Sequence, residues 1–89
     1  MPLATEHFAR VLARYTAMLN ARDFAELDRE LYEGTWSTSA ELLSPDEAKT
    51  VGAILVEFEL AVANRGYARA SDALQRLRTW VEKRRLVLE

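Results

Sequence analysis

The sequence predicts an all-α fold, a small antiparallel bundle of about four helices, and three observations carry that expectation. Apolar residues recur at helical spacing along nearly the whole chain, the second and third periodic runs open on capping signals and end at a glycine, and no segment alternates with period 2 long enough to make a strand. The expected helices span about 2–20, 24–33, 45–64 and 68–87. Short connections favour antiparallel neighbours. Residues 1–89 therefore read as a single helical domain, with the third helix most enclosed and with room for a second copy to complete the bundle. A chain of 89 residues buries only about 60–65% of its unfolded surface, so one modest core is expected.

The first helix places Phe8, Leu12, Tyr15 and Leu19 on one face, widened by Val11 and Met18. Asp23 then caps a short second helix. Glu26 stands three residues later, as a capping box requires, and Phe24, Leu27 and Leu31 give the helix an apolar edge before Gly34. The linker from Gly34 to Leu43 is rich in Ser and Thr, and Trp36 within it is either folded onto the bundle end or offered outward as an anchor.

The third helix is the most informative. Ser44-Pro45-Asp46-Glu47 combines an N-cap, a proline at the first helical position and a capping-box glutamate, and Gly66 is the expected stop. Its main stripe is Ala48, Val51, Leu55, Phe58 and Val62, with Ile54 beside it. Ala53, Val56, Leu60 and Ala63 form a second row facing away from the first, and Glu57 and Glu59 mark the borders. A helix apolar on two sides belongs in the middle of something, either its own bundle or a complex. The last helix carries Ala70, Leu74, Leu77, Val81 and Leu88, with Ala73 and Trp80 alongside. No second copy of any segment stands at a 34-residue offset, and no internal repeat is expected.

Charge is uneven along the chain. Residues 1–33 hold six acids and four bases, residues 34–60 five acids and one base, and residues 61–89 three acids and seven bases. Arg69, Arg76 and Lys83 recur every seven residues and so share a face of the last helix, which suits a partner's acidic surface because exposed ion pairs add little to stability. Phosphate binding is the weaker alternative, since Asp72 interrupts that row and the whole chain is acidic.

Catalysis finds no support. The chain has no cysteine and one histidine, His7, which removes thiol chemistry, disulfides and thiolate metal sites. Glu57 and Glu59, two apart on a helix, diverge by about 200° and cannot form a dyad. No phosphate loop, calcium loop or nucleophile elbow is present, so no cofactor or metal is expected. No apolar run is long enough to span a bilayer and no signal peptide is evident, which points to the cytoplasm; abundant arginine and alanine suggest a bacterial or phage source. The expected function is protein binding without catalysis, as an inhibitor, adaptor, chaperone, regulator or small complex subunit. The partner is another protein or a second copy in a homodimer, and the runner-up is a nucleic-acid-associated regulator using the basic last helix. The expected contact residues are Ala53, Val56, Leu60, Ala63, Glu57, Glu59, Trp36, Arg69, Arg76 and Lys83.

Overall fold

The computed structural model describes residues 3–33 and 43–88, and among them the chain forms four helices and no strand. They are α1 (Leu3–Asn20), α2 (Phe24–Glu33), α3 (Pro45–Ala63) and α4 (Tyr67–Leu88). The expected boundaries hold to within a residue or so. Trp36, proposed from sequence as a plug or an anchor, lies outside the described residues. No described helix is long and apolar enough to cross a membrane.

Local chemistry sets the ends. Ser44 accepts from the backbone N–H of Glu47 while the Glu47 carboxylate accepts from the N–H of Ser44, a complete capping box with Pro45 just inside it. Asp23 accepts from the N–H of Glu26, satisfying one free donor at the start of α2. The C-termini correct one expectation: Gly66 is not the left-handed residue that stops α3. Arg65 is, with φ 56°, and its N–H bonds the Val62 carbonyl while the N–H of Gly66 bonds that of Ala61. A Cβ at Gly66 would meet only ordinary contacts, at 3.6 Å. Arg22, with φ 60°, closes α1 by the same Schellman pattern, bonding Leu19 while Asp23 bonds Met18. An arginine tolerates this strained position here because each guanidinium also bonds the end of its own helix, Arg22 to Leu19 and Arg65 to Val62.

Packing forms a closed ring in which α1 lies beside α2, α2 beside α3, α3 beside α4 and α4 beside α1, while α1 and α3 meet only through side chains across the middle. The buried core takes Phe8, Leu12, Tyr15 and Leu19 from α1, Leu27 from α2, Val51, Leu55, Phe58 and Val62 from α3, and Ala70, Leu74, Leu77 and Val81 from α4. These are the stripes read from the sequence. Trp80 is half-buried edge-on to Phe8, with ring centroids 5.7 Å apart. The helix packed most extensively is α4, with α1 on one side and α3 on the other, and not α3 as expected; α2 is too short to cover all of α3.

The two hairpins repeat each other. A shift of 43 positions carries Arg22 onto Arg65, Phe24 onto Tyr67 and Tyr15 onto Phe58, a correspondence of place in the fold and not a repeat of sequence. It also carries Leu12 onto Leu55, Leu19 onto Val62 and Leu27 onto Ala70, all buried. Contacts between the hairpins are reciprocal: Arg22 stacks on Tyr67 at 3.5 Å and Arg65 on Phe24 at 5.4 Å, while the matching rings Tyr15 and Phe58 stack on each other at 5.4 Å. A residue meeting its own counterpart, flanked by exchanged contacts, is the mark of an approximate twofold axis.

One polar group in this core has a measurable consequence. The Tyr15 hydroxyl is buried and has no hydrogen-bond partner among the described residues. Burial, aided by the negative charge of nearby Glu30, pushes the phenol up to about 12 from its usual 10.0. The fold therefore retains a proton that the unfolded chain releases near 10. Stability is full below that pH and falls by about 2–3 kcal/mol as pH rises toward 12. Tyr15→Phe is expected to abolish this alkaline loss and to cost nothing at neutral pH, because no hydrogen bond is lost. Urea unfolding at neutral and alkaline pH measures both; a variant that loses stability at neutral pH would contradict the unpaired assignment.

Candidate functional site

The second apolar row of α3 stays outside. Ala53, Val56, Leu60 and Ala63 are all exposed, and the two large members keep 49% and 60% of their surface, Val56 and Leu60 respectively. They form a ridge along the outer side of α3. The repeat supplies an internal control for what that position of the fold needs. Forty-three residues earlier the corresponding exposed positions of α1 hold Arg10, Ala13, Ala17 and Asn20. The same architecture is thus satisfied by polar and small residues, so folding alone does not call for valine and leucine on α3. Their transfer from water is unfavourable to leave unmade, and surfaces that carry such groups together mark contact sites.

Two depressions flank the ridge. On the α4 side, an open groove of about 690 Å³ runs between Glu57, Leu60, Ala61 and Asn64 of α3 and its end, and Arg69, Asp72 and Arg76 of α4. Its floor is shallow-sided because Ala61, Gly66 and Ala68 present little or no side chain. On the α2 side, a smaller depression of about 230 Å³ is lined by Asp28, Leu31, Tyr32 and Glu59. Tyr32 is 92% exposed. Sequence reading passed over this tyrosine; the signal available was its place next to Leu31, one residue beyond the apolar edge of α2, where an aromatic ring has no helix to pack against.

Charges sort to opposite flanks. Arg76 bridges Glu57 of α3 and Asp72 of its own helix, the latter at 2.7 Å, and those carboxylates hold its guanidinium above its usual pKa, the hydrogen bonds to Asp72 contributing most. Part of the cationic row is therefore spoken for within the chain. Arg69 and Lys83 take part in no ion pair among the described residues. Glu59 is half-buried on the α2 side, close enough to Tyr15 to raise its pKa slightly. The structure thus brings Glu57, Leu60, Arg69 and Arg76 into one groove, extends the ridge from it through Val56 to Ala53, sets Glu59 on the other flank, and leaves Lys83 well along α4 toward the opposite end of the bundle.

That opposite end is held by Arg84, a residue outside the expected contact set. Arg84 is largely buried; its Nε donates to the hydroxyl of buried Thr5 on α1 at 2.8 Å, it pairs with the capping-box glutamate Glu47 on α3, and it lies over the Trp80 ring at 5.4 Å. The sequence did carry a sign of this. Arg84 follows Leu77 by seven and Val81 by three, which places it on the apolar stripe and not on the cationic face. Its work is structural, and it leaves the outer face of α3 as the surface without a structural explanation.

Comparison with family models, with characterised proteins and with solved structures gives no match for the chain.

Proposed function

We propose that this chain is a small protein-binding module that acts by occupying a surface, without catalysis, and that its contact surface is the outer ridge of α3 with the groove beside it. One observation carries the reading: Val56 and Leu60 stand exposed at positions where the other half of the same fold carries Ala13 and Ala17. The ridge has the composition of an interface centre, apolar and free of charge, with Glu57, Glu59 and Arg69 forming a polar rim. Inhibitor, adaptor, chaperone and complex subunit all work in this way, in the cytoplasm or elsewhere.

The basic last helix keeps a nucleic-acid role as the second reading, weakened by the engagement of Arg76 with Glu57 and Asp72. Added salt separates the two. Contacts with phosphates weaken steeply as salt rises, whereas burial of an apolar ridge does not. A partner captured from the native cell is expected to be a protein, to stay bound at high salt, and to be lost with Leu60→Glu, a change that an exposed position lets the fold absorb. Release of nucleic acid by moderate salt, with Leu60→Glu without effect, would contradict the proposal.

A further inference from the structure

Resting on that reading of the α3 face, we propose that its occupant is a second copy of this chain, paired about a twofold axis that runs along α3, so that Tyr32 of each copy seats in the α3–α4 groove of the other. The argument is one of level and flank. Arg65 at the end of α3 meets Asp28 at 2.8 Å, and Glu59 shares a depression with Tyr32, so α2 runs antiparallel to α3 and its exposed ring stands level with residue 59. The groove on the other flank is centred at the same height, on Glu57, Leu60, Ala61 and Asn64. Rotation about an axis along the ridge preserves height and exchanges flanks. It therefore lays the protruding tyrosine of one copy over the small-residue floor of the other, twice, while the Val56 and Leu60 ridges meet on the axis.

Charge selects this axis over the alternative. The depression on the α2 flank is lined by Asp28 and Glu59 with no base, whereas on the α4 flank Arg76 is matched by Glu57 and Asp72 and Arg69 is the cation left over. A parallel pairing sets that acidic depression of each copy beside Arg69 of the other, and gives Arg69, which takes part in no ion pair among the described residues, a ring face and carboxylates to meet. An axis across the helix would instead set α4 on α4, with Arg69 and Lys83 of the two copies on one flank and the α2 carboxylates on the other. A tyrosine seated in a groove and ringed by less critical contacts is also the usual anchor of an interface.

The test uses the full chain. Sedimentation equilibrium at micromolar concentration is expected to show a dimer, and Tyr32→Ala to weaken it by about tenfold or more with unchanged helical circular dichroism, while Tyr32→Phe retains it. The chain has no cysteine, so single replacements report the axis directly. Ala53→Cys and Ala63→Cys are each expected to form a disulfide-linked dimer alone, because a parallel axis opposes each position to itself. The proposal is overturned by a wild-type chain that remains monomeric, by a dimer indifferent to Tyr32→Ala, or by cross-linking that occurs only when the two cysteine variants are mixed. A monomer that still loses a captured protein with Leu60→Glu would reject the second copy as occupant and leave the binding face standing.

Discussion

Phe58→Ala is expected to remove about 3–5 kcal/mol of stability, a large share of the roughly 5–15 kcal/mol available to a domain. Phe58 is wholly buried and stacks on Tyr15 across the centre of the bundle, where α1 and α3 meet through side chains alone. The loss therefore includes both the transfer of the ring and a cavity that persists. Leu55→Ala, one turn earlier on the same buried stripe, is expected to cost about 2–5 kcal/mol for the same reason. The urea midpoint reports both. Either variant matching the wild type would mean that the stacked pair is not the keystone joining the two hairpins.

Arg84→Met is expected to cost about 2–4 kcal/mol, although it changes a charged residue on the last described turns of the chain. The substitution keeps the aliphatic stem but leaves the buried Thr5 hydroxyl without its donor, deprives Glu47 of its partner and removes the cation over Trp80. Hydrogen bonds to charged groups contribute more than neutral ones, and a buried group left unpaired carries its full desolvation cost. The neighbouring exposed Lys83→Met should stay within about 0.5 kcal/mol. Thermal unfolding of the two variants side by side checks the contrast; equal melting temperatures would contradict the clasp.

Periodicity and caps were sufficient to read the helices because both are local: Ser44, Pro45 and Glu47 act within one turn, and Phe8, Leu12, Tyr15 and Leu19 reveal a face by spacing alone. The outer ridge was legible for the same reason. What escaped depends on contacts between distant segments. The left-handed role of Arg65 depends on bonds to Val62 and a stack on Phe24, which no propensity for glycine at Gly66 foretells. The partner of Arg84 lies 79 positions away at Thr5. Glu30, three residues after Leu27 at the edge of the apolar face of α2, is buried and paired with Arg14 of α1. The correspondence of the hairpins stayed hidden because most matched positions preserve burial and not identity, as with Leu27 and Ala70.

That preserved burial is what gives the outer ridge its meaning. Two equivalent helices in one molecule answer the same packing demand, and only α3 adds Val56 and Leu60 on the side turned away from the core. The most direct measurement places a photo-activated cross-linking residue at Val56, and separately at exposed Ala13 on α1, in the native cell. A discrete protein adduct from position 56, whether to another protein or to a second copy, with none from position 13, is the result expected. No adduct from position 56, or equal adducts from both, would contradict the assignment of the α3 face as the binding surface.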